Sequence, residues 1–304
     1  MSREVVSHED GHVYEFSPKM DPVYTAADGE SLTIETIDSL NKEIQTEDDR
    51  LDAIPDEVNA ATGPIAVEGA RPGDLLRVEI EDVRVNEDRG RVVTAPGFGL
   101  LQDDEGIEHP ATRITEVNGD DISFDGVDVP IEPVIGTIGV ATAEETIATL
   151  IPDQHGGNLD TTDMTGGTTA YFPVFQEGAM LAMGDSKAAM ADGEMCGTGA
   201  EIGTDVDVTV SVVSDPPVEI ERPVVDTGDA IKTLASAETM EAAVKQANRD
   251  ILALLQADHD VSKTEAYLFA SLLGGLEISQ VVDPQVTVRN AIPAEYLSLS
   301  FEDL

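Results

Sequence analysis

Two stretches decide the fold: Leu75-Leu76-Arg77-Val78-Glu79-Ile80-Glu81-Asp82-Val83-Arg84-Val85 and Asp205-Val206-Asp207-Val208-Thr209-Val210-Ser211-Val212-Val213. Apolar residues recur at Leu76, Val78, Ile80 and Val83 in the first, and at Val206, Val208, Val210 and Val212 in the second. A period of two sends alternate side chains to opposite faces, so each stretch reads as a strand with one buried face. Residues 31–37 repeat the pattern through Leu32, Ile34 and Ile37. Between residues 13 and 213 such segments are punctuated by Asp28-Gly29, Pro72-Gly73, Asn118-Gly119 and Asp125-Gly126, which are turn dipeptides. Many short strands with Gly and Pro turns predict a mainly β fold with a jelly-roll-like β-sandwich body.

The character changes near residue 214. Pro216, Pro217 and Pro223 mark a connection. Beyond it, Met240, Val244, Ala247, Ile251, Leu254 and Leu255 lie along one face of a helix. Ser262-Lys263-Thr264-Glu265 is a capping box that opens a second helix, with Gly274-Gly275 at its end. Residues 276–282 read as a closing strand stopped by Asp283-Pro284, and 296–304 as a short acidic tail. The organisation expected is a sandwich body over 1–215 and a two-helix C-terminal α+β addition over 216–304, packed on the body or forming one domain with it.

The chain has 304 residues, 41% of them hydrophobic, which is a globular composition. Aromatics are 4% with no Trp, so the core must be built from aliphatic residues. There are 61 acidic against 17 basic residues, a formal net charge of −44, and the acids are spread along the chain rather than gathered in a tail. Such a surface repels itself in dilute buffer and is relieved at molar salt, where the Debye length falls to roughly 3 Å. The expectation is a protein adapted to a salt-loaded cytoplasm. The same field excludes nucleic acid as a partner. The single Cys196 excludes an internal disulfide and fits a reducing compartment. Residues 1–10 lack an apolar core for a signal peptide, and no apolar run reaches the roughly 18 residues of a membrane span. A soluble cytoplasmic protein without a membrane partner is expected.

The segment from His155 to Glu201 carries the chemistry. His155-Gly156-Gly157-Asn158-Leu159-Asp160 compresses an imidazole, two glycines and two oxygen-bearing side chains into six residues. His155 and Asp160 are of a type that can ligate zinc or a similar cation; the alternative is a Gly-rich turn whose histidine is bonded within the protein. Residues 183–201 then hold Asp185, Lys187, Asp192, Glu194 and Glu201 in a Gly/Ala-rich setting. Neighbouring buried carboxylates need a cation or a retained proton, as general acid–base or metal-assisted hydrolysis requires. A solvated acidic loop is the alternative, against which stand the apolar Ala188, Ala189, Met190 and Met195. His8, His12, His109 and His259 read as solvated or locally bonded, with His12 able to approach the site.

These stretches resemble the acetamidase/formamidase family. The family's HGGN-x-D, PV-x-x-x-GA, GD-x-H-A and GDGE elements have counterparts at His155–Asp160, Pro173-Val174…Gly178-Ala179, Gly184-Asp185-Ser186-Lys187-Ala188 and Ala191-Asp192-Gly193-Glu194. Ala61-Thr62-Gly63-Pro64 with Glu68-Gly69-Ala70 and Gly73-Asp74 is similar to an upstream block. So are Pro133 to Ala141 and Ile278 to Pro284, and Pro22-Val23 with Glu35 to Asp38 matches the first strand pair. The resemblance implies a jelly-roll-like sandwich with added helices and hydrolysis of formamide, acetamide or similar short amides to ammonia and a carboxylate. It further implies a divalent cation, zinc or calcium, and a homo-oligomer, dimer or larger. Carried over by position, His155, Asp160, Asp185 and Asp38 are the metal-ligand candidates. Glu194 or Asp192 is the candidate base, Asn158 and Lys187 join them as catalytic candidates, and Gly156, Gly157 and Thr198 are candidates for holding substrate.

One position departs: the family's GD-x-H-A histidine is Lys187. A charged lysine offers donors and no lone pair, so it cannot ligate a metal. Either Lys187 replaces the cation among Asp185, Asp192 and Glu194, or the site is degenerate and the protein binds a small molecule without turnover. Lys187, Glu194 and Cys196 also supply the residue types of a Cys-Glu-Lys amidase. The charge balance yields the first expected outcome: the thermal unfolding midpoint should rise steadily as KCl is raised from roughly 0.1 M to molar concentrations, and a midpoint independent of salt would remove the salt-adapted reading.

Overall fold

The computed structural model describes residues 3–298, so the end of the acidic tail, 299–304, lies outside the described residues. A nine-stranded sheet runs, in spatial order, through Glu4–Val6, Glu30–Glu35, Thr204–Val213, Leu75–Val85, Thr168–Pro173, Val224–Asp226, Ala230–Ala237, Val286–Pro293 and Gly275–Gln280. The two stretches that opened the sequence reading are neighbours in it, paired antiparallel from Thr204↔Val85 to Val213↔Leu75. A six-stranded sheet packs across from it, with Gly156–Asn158, Val134–Gly139, Leu181–Lys187, Ala61–Val67 and His12–Val13 in order and Tyr24–Ala26 alongside Ala61–Val67.

The alternation explains the layering. Leu32, Ile34, Leu76, Val78, Ile80, Val206, Val208 and Val210 face inward from the large sheet and meet Ile65, Ile135, Ile138, Leu181 and Met183 from the smaller one, all buried. The fold is therefore mainly β, a sandwich as the patterning predicts. Ile37 lies beyond the end of its strand and is only half-buried, because the chain turns away at Asp38.

The opposite face of the large sheet is covered by two helices, α1 (Met240–His259) and α2 (Lys263–Leu273). Ile251, Leu254 and Leu255 of α1 pack with Ala266 and Ala270 of α2 on Leu75, Tyr171, Ile231 and Ile292. Thr239 caps α1, and Ser262 and Glu265 form the expected capping box of α2. Gly274 ends α2 as expected, in extended backbone: its φ is −69°, and a Cβ there would lie 2.6 Å from the Ala270 carbonyl oxygen. Strands on both sides of residue 215 share the nine-stranded sheet, so the C-terminal segment completes that sheet. No helix is long and apolar enough to cross a membrane among the described residues.

What positions the site is the pairing of Val134–Gly139 with Leu181–Lys187. Gly136 lies opposite Asp185 in this register, and a Cβ at Gly136 would fall 2.2 Å from Lys187 Nζ, 2.3 Å from Asp185 Oδ2 and 2.4 Å from Asp160 Oδ1. The missing side chain is the space those three groups occupy. Gly136→Ala should therefore destabilise the fold by about 1–3 kcal/mol through overpacking. Gly275→Ala, where a methyl group meets nothing within 4 Å, should change stability by less than about 0.5 kcal/mol. Denaturant unfolding of both variants at one KCl concentration checks this pair.

Candidate active site

Lys187 ends its strand in the protein interior, its ammonium surrounded by carboxylates. Nζ lies 2.5 Å from Asp160 Oδ1, 2.6 Å from Asp185 Oδ2 and 3.5 Å from Glu194 Oε1, with every one of these side chains buried. Glu201 and Asp283 complete the group, both buried. Glu201 accepts from Ser39 Oγ at 2.7 Å and from the Gly199 N–H at 2.8 Å. Asp283 accepts from Asn158 Nδ2 at 2.9 Å, and Asn158 Oδ1 in turn accepts from Thr137 Oγ1 at 2.7 Å.

The local backbone is unusual where it meets Lys187. Asp160, Asp185 and Glu194 have φ of 41°, 54° and 44°, the left-handed region. Each such conformation in a non-glycine residue costs about 1–3 kcal/mol and persists only where the surroundings hold it. All three carboxylate residues ion-paired with the ammonium among the described residues are placed this way.

Burial controls the electrostatics. It pushes the Asp185, Glu194 and Asp283 carboxyls well above the ordinary carboxylate range, helped by neighbouring carboxylates and only partly opposed by Lys187. Burial likewise takes Glu201 up to about 7. For Lys187, burial favours the neutral amine, but Asp160, Asp185, Glu194 and Glu201 outweigh it and hold its pKa well above the ordinary lysine value. The centre is thus a fixed ammonium among carboxyls that share a limited number of protons.

The cluster forms one wall of a cavity of about 30 Å³. Its polar side is made by Asn59, Asn158, Asp185, Lys187, Glu194 and Asp283; its apolar side by Leu40, Leu51, Ile54, Val58, Phe98 and Leu150. A single water needs roughly 10–15 Å³ on this scale, so the space holds two or three water-sized groups. Glu194 and Thr198 also line a wider groove of about 510 Å³ on the outer side.

Of the residues expected at the site, Asn158, Asp160, Asp185, Lys187 and Glu194 come together. Thr198 reaches the cavity wall, but its hydroxyl is exchanged with the Val93 backbone, accepting from N–H at 3.0 Å and donating to C=O at 3.1 Å. Others are placed elsewhere. Asp192 is about half exposed and ion-paired to Arg289 at 2.6 Å, away from the inner cavity. Asp38 is buried against Arg91 at 3.3 Å and accepts from the Leu40 and Lys42 N–H groups, so its charge closes its own turn. Its neighbour Ser39 is the residue that reaches the cluster. His155 packs on Phe16, ring centroids 4.8 Å apart, with both ring nitrogens buried and unpartnered, and burial lowers its pKa to about 4. It is a neutral imidazole outside the carboxylate group. Gly156 and Gly157 pair with Val134–Gly139, and a Cβ at Gly156 would lie 2.2 Å from the Ile138 carbonyl oxygen; they serve close strand packing, not the cavity. Cys196 donates to the Thr198 carbonyl and faces the outer groove, which separates it from Lys187. His12 is exposed and stacked on His8, away from the site.

This donor set does not fit the zinc or calcium ion that the resemblance implies. The carboxylates converge on Nζ, which has protons and no lone pair, and the imidazole expected to share the ion is elsewhere. Among the described residues, no three His, Cys, Asp or Glu side chains are grouped so as to hold a metal. Sequence reasoning missed Glu201, Asp283, Asn59 and Gly136 as parts of the site. Glu201 had a signal, since it closes the acidic segment, and Asp283 and Gly136 lie in blocks that resemble the family's; Asn59 had none.

Comparison with known proteins bears on the family and the fold. The residue pattern of the acetamidase/formamidase family matches residues 1–150 and 141–298. A formamidase of Methylophilus methylotrophus is 27% identical over 266 residues, 68% of this chain and 65% of that protein. An acetamidase of Mycolicibacterium smegmatis is 30% identical over 214 residues, 50% of this chain and 53% of that protein. The chain thus matches less than two thirds of the length of either relative. The crystal structure of an acetamidase from Bacillus halodurans superposes with a TM-score of 0.91 at 37% identity, covering 96% of this chain and 98% of that one. With the family pattern running through nearly the whole chain and the sandwich shared, this chain belongs to the acetamidase/formamidase family.

Proposed function

We propose that the protein hydrolyses short aliphatic amides to ammonia and a carboxylate, with the Lys187 ammonium in the place of a metal ion. The observation that carries this reading is a charged, buried lysine on the wall of a small cavity that holds two or three water-sized groups. Formamide has three heavy atoms and acetamide four. The apolar wall of Leu51, Ile54 and Val58 suits the hydrogen or methyl group of such an amide.

Two of the three Lys187 N–H bonds are taken by Asp160 and Asp185. The third has Glu194 Oε1 at 3.5 Å and is the one that donates to the amide carbonyl oxygen in this reading, with the second N–H of the Asn158 side-chain amide as a further donor. As water attacks the carbonyl carbon, charge develops on that oxygen, and donors fixed in a dry site stabilise it without reorganising. An ammonium cannot lower the pKa of a bound water as a metal does, so a carboxylate must take the proton. Glu194 fits that role: it lines the cavity, and Lys187 is the cation beside it. Its carboxylate takes one proton from water as the C–O bond forms, then returns it to the nitrogen as the C–N bond breaks. Ammonia leaves with that proton, the acyl group leaves as the carboxylic acid, and the acid's remaining proton passes to ammonia to give the carboxylate and ammonium.

Ammonia release from formamide, acetamide and propionamide in multimolar KCl tests the reading. Turnover should survive chelator treatment and decline as the acyl group outgrows the cavity. Turnover abolished by chelator would overturn the role of Lys187, and none on any short amide, in folded protein, would leave a binding protein. Glu194→Gln should lower kcat by roughly 10²–10⁴-fold. The sign of the pH effect follows from burial. The base works deprotonated and its pKa is raised well above 4.5, so the acid limb of kcat/KM should lie well above the ordinary glutamate range; an acid limb near 4.5 would exclude Glu194 as the base.

A further inference from the structure

Outside the cavity, one side chain grips both loops that deliver Asp160 and Glu194. Arg289, on the strand Val286–Pro293, is only 1% exposed. Its Nη1 donates to Thr161 Oγ1 and Thr162 Oγ1 at 3.0 Å each and to Asp163 Oδ2 at 2.7 Å. Its Nη2 donates to Asp192 Oδ2 at 2.6 Å and to the Ile278 carbonyl at 3.4 Å, and its Nε lies 3.3 Å from Glu277 Oε2. Thr162 Oγ1 also donates to Asp192 Oδ1 at 2.9 Å, so the two loops are joined directly under the guanidinium. Residues 161–163 follow Asp160 without a break, and Asp192 stands two residues before Glu194. Between Asp192 and Glu194, Gly193 is stitched to the neighbouring strand: its N–H donates to the Ser279 carbonyl at 2.7 Å, and its carbonyl accepts from the Val281 N–H at 3.2 Å.

Asp160 and Glu194 hold left-handed backbone that relaxes unless its surroundings over-determine it. One group is bonded to both loops: a planar fork of fixed geometry, itself buried. We infer that Arg289 is the positioning residue of this site, setting Asp160 and Glu194 around Lys187 without touching substrate. This also gives Asp192 a role, as the anchor of the loop that carries Glu194. The inference rests on the amide-hydrolase reading for its kinetic consequence but not for its structural one, so its test has two readouts.

Arg289→Gln should lower kcat by roughly tenfold or more while KM moves less than about twofold, because the loss falls on the oriented groups and not on the cavity wall. Arg289→Lys keeps the charge but not the fork and should not restore kcat. The second readout is acylation of lysines by acetic anhydride, followed by peptide mass spectrometry. Exposed Lys245 and Lys263 react in every form, while Lys187 is protected in the parent protein and becomes modified in Arg289→Gln. An active parent with a variant that keeps both kcat and Lys187 protection would overturn the inference. A parent inactive on every amide, with protection still lost in the variant, would sustain the positioning role and sink the hydrolase reading alone. Should Arg289→Gln fail to fold, Arg289→Lys decides: parental kcat and intact Lys187 protection in it overturn the inference, and a kcat-selective loss with exposed Lys187 sustains it.

Discussion

The ion pairs of Lys187 with Asp160 and Asp185 are the interaction on which the rest of the site depends. An ammonium buried alone would lose its proton, and five carboxyl groups buried alone could not stay ionised together. Each tolerates the interior because of the other, and the surplus negative charge is relieved by protons retained on the carboxyls. The cost of this arrangement is visible in the backbone. Gly136 gives up a side chain to make room for it, and three residues adopt left-handed conformations to reach the ammonium. Features of this kind survive where they serve a preorganised centre.

The sandwich supplies what such a centre requires. Valines and isoleucines from both sheets form a buried apolar core beside the cluster, so its buried charges act in a low-dielectric setting where fixed donors are worth more than in solvent. The pairing of Val134–Gly139 with Leu181–Lys187 sets the depth of Lys187, and the C-terminal strands bring Asp283 and Arg289 from more than 80 residues further along the chain. The segment after residue 215 is thus part of the site's scaffold as well as of the large sheet.

Two electrostatic regimes coexist. The outer surface carries most of a net charge of −44 and responds to salt, because exposed charges are screened beyond a few ångströms at molar ionic strength. The interior clusters respond little: Lys187 with its carboxylates, and Arg91 with Asp38 and Glu87, are shielded from mobile ions by protein. Salt therefore acts on the cohesion of the molecule, while the proton inventory of the cavity is set by burial and by neighbours that salt cannot reach.

The sequence by itself determined the strands, the helix faces, the capping box and the family, because these rest on local periodicity and on contiguous motifs: Val206 to Val212, Ser262 with Glu265, His155 to Asp160. It also determined that Lys187 is the anomalous position, since a residue's chemistry is legible without coordinates. Only the tertiary structure decided which charges meet. Asp192 and Glu194 are two residues apart, yet one is held outside by Arg289 and the other faces the cavity. His155 belongs to the most recognisable motif and packs on Phe16, while Asp283 and Glu201 come to the lysine from separate turns. Charge pairing depends on distance and burial, and folding makes both from residues far apart in the chain, so spacing along the sequence carries no record of them.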